Sequence, residues 1–367
     1  MNILRGKSIF ILSPEAWGKS FVSKHHYASL LAQKGNRVYF VNPPSDKWAK
    51  QKVAPNLWVL DYSTGWRKGV QRWPNFLRKW ANAGLIRRLY QLAEAEADIV
   101  WSFDPFRFQD LRQFGADYRI YHPVDPHICP LEQAVINSAQ VLFASSHKII
   151  QRFQANGPTP MYFINHGLAQ HFLAAAPKLD FSPRSGRIKV GYVGNLNYPF
   201  LDEQALLSIL KQQGEVDFYF IGPYKKGNLS GRERKSLIAQ LMELENCFLL
   251  GPKPSTELPA YLDHFDLFLM TYEGDKNPAA MANPHKILEY LSRGKAVISH
   301  FIDEYKERKD WVYMVEDNAD LPAKFAWALA NLDKINSEQL QAERKAYAQA
   351  NSYLAQLQRI DAYLQEI

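Results

Sequence analysis

Short apolar runs alternate with longer segments whose apolar residues recur at helical spacing. In the first half the runs at 8–12, 37–41, 57–61, 98–103, 117–121, 140–144 and 161–164 predict strands. A helix is predicted from the turn ending near Gly18 to Lys34, where Gly35 stops it, and another over 75–97. The segment 168–187 breaks this rhythm with Ala-rich and Pro/Ser/Gly-rich stretches. A second alternation begins at Ile188, with strands predicted at 188–193, 216–221, 247–250, 267–270, 296–299 and 312–315. Helices are predicted at 201–213, 233–244, 256–263, 284–293 and 321–332, and the tail 337–367 reads as one long helix. Such alternation predicts an α/β protein whose mostly parallel sheets are covered on both faces. The expected layout is two facing Rossmann-like domains, 1–170 and 188–345, with a linker over 171–187 and a terminal helix over 346–367. Ligands of such sheets sit off the carboxyl ends of the strands, and a cleft between two facing halves is the natural site.

The most clearly delimited stretch is 283–299. Asn283 suits an N-cap and Pro284 the first helical position, where a missing N–H costs nothing. Ile287, Leu288 and Leu291 share a face, and Gly294 stands just past the end. A helix start offers free N–H groups to an anion. Lys286 adds a cation beside His285. Glu289 lies one turn in, and helical side chains lean back toward the N-terminus, so its carboxylate suits the two hydroxyls of a ribose. The pattern fits a nucleoside diphosphate, and equally an ordinary capped helix. Gly191, Gly194 and Asn195 close the first strand of this half. Glycine there lets backbone approach a phosphate, although a tight turn alone also explains it. The motif is not G-x-G-x-x-G. Gly222 and Gly251 end two further strands, leaving room for a flat ligand, with Lys225, Lys226 and Lys253 beyond them.

Composition narrows the class. The 367 residues are 47% apolar, enough for two ordinary cores. No run of about eighteen apolar residues suggests a membrane span, and the run 9–12 is too short for a signal-peptide core. Cys129 and Cys247 fit neither metal nor redox spacing, which leads us to expect a reduced, cytoplasmic setting. The net charge of +7 is unevenly placed. From Tyr62 to Ala93 no acidic residue occurs, while Arg67, Lys68, Arg72, Arg78, Lys79, Arg87 and Arg88 alternate with Trp66, Trp73, Phe76 and Trp80. Three readings fit: a solvated basic helix with its tryptophans inward, an element at 66–90 lying on an anionic membrane, or a single-strand nucleic-acid surface.

Taken in order, these pieces resemble the nucleotide-sugar-binding domain of GT-B glycosyltransferases of the retaining family 4 type. The carriers are Gly191 to Gly194, Ile221-Gly222-Pro223, Leu250-Gly251-Pro252, the run from Glu257 to Leu262, and Pro284 to Gly294 with Lys286 and Glu289. His25-His26 before the run to Gly35 is similar to that family's opening helix, and Asn351-Ser352-Tyr353 to its last helix, which crosses back onto the first domain. The match is nearest to the branch with teichuronic-acid-type transferases. The resemblance implies a hexosyltransferase of cell-surface polysaccharide synthesis, using a UDP- or GDP-sugar as substrate, no other cofactor, and a glycan or lipid-linked acceptor. It implies a cytoplasmic protein, peripheral on the inner membrane face, with nucleic acid an unexpected partner. His122, Lys286 and Glu289 are the implied catalytic residues. Gly18, Gly191, Gly194, Asn195, Gly222, Lys253, Asn283, Pro284 and His285 are the implied donor-binding ones. Transfer would retain configuration and need no metal, since no D-x-D is present. Two departures stand out. Met281 occupies the place of the first of the family's paired glutamates, and Asn195 and Leu201 stand where it has Arg and Lys. They leave two other readings of the same fold, a nucleotide-sugar epimerase and a non-catalytic scaffold.

Overall fold

A computed structural model describes residues 3–18, 21–65, 73–125, 129–154, 157–225, 234–274, 276 and 281–367. They divide into two units, Met1–Gly167 with Tyr353–Ile367, and Leu168–Ser352. The first unit holds β1 (Ser8–Leu12), β2 (Arg37–Val41), β3 (Ala49–Ala54), β4 (Leu57–Asp61), β5 (Ile99–Ser102), β6 (Tyr118–Tyr121), β7 (Val141–Ala144) and β8 (Met161–Phe163). Their order is β3-β4-β2-β1-β5-β6-β7-β8, parallel except for the β3–β4 pair. The helices are α1 (Ser23–Gln33), α2 (Asn75–Ala93), α3 (Glu132–Ser138) and α4 (His147–Gln154). Every residue of β1 is buried, as a central parallel strand covered on both faces requires. The sequence pattern misses β3 because Ala-Lys-Gln-Lys-Val-Ala carries no apolar alternation. β3 is an edge strand, and its lysines discourage further pairing.

The second unit holds α5 (Glu203–Gln212), α6 (Lys235–Glu243), α7 (Leu258–Leu262), α8 (Lys286–Leu291), α9 (Leu321–Ala330), α10 (Leu332–Ile335) and α11 (Glu338–Ala350). Its strands are β9 (Ile188–Val193), β10 (Val216–Ile221), β11 (Cys247–Gly251), β12 (Leu267–Met270), β13 (Val297–His300) and β14 (Val312–Val315). They are parallel in the order β11-β10-β9-β12-β13-β14, the doubly wound arrangement. The order reverses between β9 and β12, which marks the carboxyl ends of those two strands as the place for a ligand.

The tail is not one helix. Asn351 and Ser352 interrupt it, and α12 (Tyr353–Gln365) returns to the first unit while α11 stays with the second. The division thus falls at 352–353 instead of the expected 346. Tyr353 stacks on His26 at 4.5 Å and donates its hydroxyl to Ser23 Oγ at 3.2 Å. A Cβ on Gly167 would stand 2.1 Å from the Tyr353 ring, so only glycine fits beneath it. The expected linker is also structured. Phe181 packs on Tyr219 and Tyr261, Arg184 lies over Phe248 at 4.5 Å, and Arg187 stands 3.0 Å from the buried Asp217. All of it belongs to the second unit.

The basic helix resolves in part. Residues 66–72 lie outside those described. In α2, Leu85, Ile86 and Leu89 enter the core. Trp80 is 62% exposed, so the reading with inward-turned tryptophans fails for it, while Trp73 is half-buried; Phe76 is 71% exposed. Lys79, Arg87 and Arg88 share the exposed side.

The strand ends of the second unit are stitched by backbone. Gly194 N donates to Ile221 O at 2.9 Å and Gly222 N to Gly251 O at 3.0 Å. A Cβ on Gly222 would lie 1.9 Å from Gly194 O, and its φ is +147°. At Gly251, φ +72°, the nearest atom would be 3.9 Å away. Gly222→Ala should therefore lower stability by about 2–4 kcal/mol in urea denaturation. Gly251→Ala should cost only about 1–2 kcal/mol. Equal costs would refute the close-approach explanation.

Candidate active site

The site begins with how α8 is held. Tyr290 is fully buried and stacks on Phe268 of β12, with centroids 4.2 Å apart and planes 5° apart. Its hydroxyl accepts from Val193 N at 2.8 Å and donates to Val193 O at 3.4 Å. This fixes the start of α8 beside the end of β9. Tyr192 and Tyr272 meet there too, hydroxyl to hydroxyl at 3.3 Å. A Cβ on Gly194 would lie 3.0 Å from both hydroxyls, so glycine lets the turn settle on them. These three tyrosines carry the local architecture and escaped the sequence reading. The available signal was that a buried tyrosine needs a partner for its hydroxyl.

The neighbouring Glu289 has no such partner. Its Oε2 is buried and makes no hydrogen bond among the described residues, and Oε1 is 4.0 Å from His285 Nε2. Burial raises its pKa and Lys286 opposes the rise. A buried carboxylate oxygen without a donor is costly, and a ligand bringing hydroxyl donors relieves that cost. Lys286 Nζ stands 3.4 Å from His285 Nε2, so two basic groups share the helix start.

The capping expectation needs correction. The first helical residue is Lys286 and the N-cap position is His285, so Asn283 and Pro284 precede the helix. Ile287 N bonds to Pro284 O and Leu288 N to His285 O, tight three-residue steps that delay the regular helix. A six-residue helix has a small dipole, so positive charge here comes mainly from side chains. Asn283 and Met281 are both buried, Met281 without charge where a second glutamate was expected.

The remaining candidates fall as follows. Gly191 lies within β9, and a Cβ there would stand 2.3 Å from the Phe265 ring. Core packing explains it. Gly222 makes room for Gly194 backbone, which corrects the expectation that these glycines leave space for a flat ligand. Asn195 closes its own turn, Oδ1 accepting from Asn197 N at 2.9 Å. Lys253 Nζ lies 5.4 Å from the Tyr261 ring centre. The structure thus gathers Glu289, Lys286 and His285 at one helix start, next to Gly194 and Asn195 at the end of β9. Lys226, Asp275 and His127 lie outside the described residues.

His122 and Gly18 belong to the first unit. His122 follows β6, is 1% exposed, and stacks on Phe103 at 4.9 Å and Trp101 at 5.9 Å. Burial, helped by His166 and Lys24, lowers its pKa to about 3, so the ring is neutral near pH 7. Its Nδ1 has no hydrogen-bond partner among the described residues. Gly18 is exposed, at φ +96°, in the loop after β1. Among the described residues no group of three His, Cys, Asp or Glu is placed to hold a metal, and the two cysteines are free.

The family model described as glycosyl transferases group 1 matches residues 187–333. The chain is 26% identical over 190 residues to the putative teichuronic acid biosynthesis glycosyltransferase TuaH of Bacillus subtilis, covering 50% of this chain and 46% of that one. It therefore spans under half the length of that relative. Sucrose-phosphate synthase from Thermosynechococcus elongatus superposes with a TM-score of 0.73 at 11% identity, covering 98% of each chain. Anabaena HepE, solved with UDP and glucose, gives 0.66 at 15% identity, over 98% of this chain and 100% of that one. The chain has the GT-B fold, two parallel-sheet bodies with the last helix returned to the first.

Tyr290→Phe tests how α8 is held. It strands the buried Val193 N–H, which should cost about 1–3 kcal/mol in urea denaturation. No loss would mean that stacking on Phe268 alone fixes the helix.

Proposed function

We propose that the chain is a hexosyltransferase that takes a sugar from a nucleotide-diphosphate donor, UDP- or GDP-linked, and passes it to a glycan or lipid-linked acceptor in cell-surface polysaccharide synthesis. The observation that carries this reading is the buried, unpartnered Glu289 Oε2 beside Lys286, at the point where the strand order reverses. Two vicinal ribose hydroxyls supply the donors that Glu289 lacks. Lys286, with His285, meets the diphosphate, and Gly194 and Asn195 bring backbone close to it. As the bond from the anomeric carbon to the diphosphate breaks, a bond to the acceptor oxygen forms on the same face. The acceptor's proton passes to the released diphosphate oxygen, so configuration is retained and no separate protein base is required. Charge on the leaving group is met by fixed cations in place of a metal. The apolar Met281 bears on which sugar is accepted.

Calorimetry with UDP and GDP tests the donor assignment. One of the two should bind, and at about one hundred times its dissociation constant should stabilise the protein by about 2.7 kcal/mol. Glu289→Ala should weaken that binding by about tenfold or more. Undiminished binding would remove Glu289 from the role. Binding of neither nucleotide would favour the scaffold reading, and donor turnover without an acceptor the epimerase.

The exposed face of α2 supports a place at the inner membrane surface. Phe76 and Trp80 stand one turn apart with Lys79, Arg87 and Arg88 around them, apolar rings for the interface and cations for anionic headgroups. No helix among the described residues is long and apolar enough to cross a membrane. Co-sedimentation should show binding to phosphatidylglycerol vesicles and little to phosphatidylcholine alone. Changing Phe76 and Trp80 to Ser, or Arg87 and Arg88 to Glu, should abolish it. Equal binding to both vesicles, or indifference to both double variants, would refute the surface.

A further inference from the structure

A second site lies in the same unit. The carboxyl ends of β12, β13 and β14 and the starts of α5 and α9 surround a cavity of about 630 Å³. None of its described lining residues comes from α8 or from the Gly194 turn. Asp202, Glu273, His300, Glu316, Asp317 and Asn318 give it its chemistry.

The polar wall is built. Asn318 Nδ2 donates to Asp202 Oδ2 at 2.7 Å and to Tyr272 O at 2.9 Å, which fixes both side chains. Asp202 Oδ1 accepts from Ala205 N at 2.9 Å. His300 is 1% exposed and its Nδ1 accepts from Tyr272 N at 3.4 Å. Ser299 Oγ lies 3.1 Å from the same Nδ1. The buried Nε2 has no hydrogen-bond partner among the described residues. The cavity wall thus carries the His300 ring and the acceptor oxygens of the carboxylates. A hydroxyl both donates and accepts, so a polyol satisfies both.

Two further observations narrow the ligand. Four carboxylates, Asp202, Glu273, Glu316 and Asp317, line the cavity against Lys276 alone among the described residues, and Lys276 is paired with Glu273 at 2.6 Å. Such a wall repels a uronate or a phosphate. Glu316 also borders an adjoining recess lined by Lys324 and Trp327; Trp327 is 42% exposed, with Tyr313 5.4 Å and Lys324 Nζ 5.3 Å from its ring centre. The apolar C–H face of a pyranose stacks on such a ring while its hydroxyls reach polar neighbours.

We propose that this cavity and Trp327 form a second carbohydrate site, which holds uncharged or amine-bearing sugar residues of a glycan chain. It is separate from the nucleotide site and stands or falls independently of the donor assignment.

Saturation-transfer NMR on the full chain tests it. The probes are neutral trisaccharides of glucose, galactose, mannose and N-acetylglucosamine, a glucosamine trimer, and a galacturonate trimer. At least one neutral or amine-bearing trimer should receive saturation, and the galacturonate trimer none. Trp327→Ala and Glu316→Gln, both surface changes, should each weaken binding by about tenfold and leave UDP and GDP binding unchanged. Saturation of no neutral or amine-bearing trimer, equal saturation of the uronate, or undiminished binding in both variants would overturn the proposal. A protein that binds these trimers but no nucleotide would keep this site and lose the donor reading.

Discussion

The second unit depends on one hydroxyl group. Tyr290 reaches from α8 to both backbone groups of Val193, the last residue of β9. A parallel strand that ends at a sheet's switch point has no neighbour left to satisfy its terminal amide, and a buried amide must be satisfied. The hydroxyl does this, and in doing so it sets where α8 begins. Glu289 and Lys286 then stand on the helix that this hydroxyl ties to the end of β9. The carboxylate can stay unpartnered because its helix is held by the adjacent residue, so positioning and ligand binding are carried by different side chains.

Much of the fold was legible in the sequence, for a physical reason. Strands at 188–193, 216–221, 267–270 and 312–315 match residue for residue, because buried parallel strands are apolar runs with sharp ends. β3 was not legible, since an edge strand needs no apolar face. The break at Asn351-Ser352 was hidden inside a helical pattern on both sides. At the site, the sequence gives residue types and leaves their neighbours unstated. Gly191 and Gly222 look alike with Gly194, yet one yields to the Phe265 ring and the other to a carbonyl. The start of α8 moved from Asn283 to Lys286 because tight turns precede it. Tyr192, Tyr272 and Tyr290 gave no pattern, since their partners are distant in sequence.

Charge is divided in a way that composition conceals. The net +7 suggests a uniformly basic protein. The cations of α2 lie exposed in the first unit, whereas the charged groups that line the cavity beside His300 in the second are mostly carboxylates. Different surfaces of one chain therefore carry opposite charge, and the average describes neither.

The return of α12 shapes how the chain is made. The second unit is one continuous segment and is complete when residue 352 has been synthesised. The first unit begins earlier and ends later, because Tyr353 must seat over Gly167 and against α1. During vectorial synthesis the half that starts first is thus closed last. Until α12 has left the ribosome, Tyr353 cannot seat over Gly167, and the nascent chain carries one finished unit and one still without that helix.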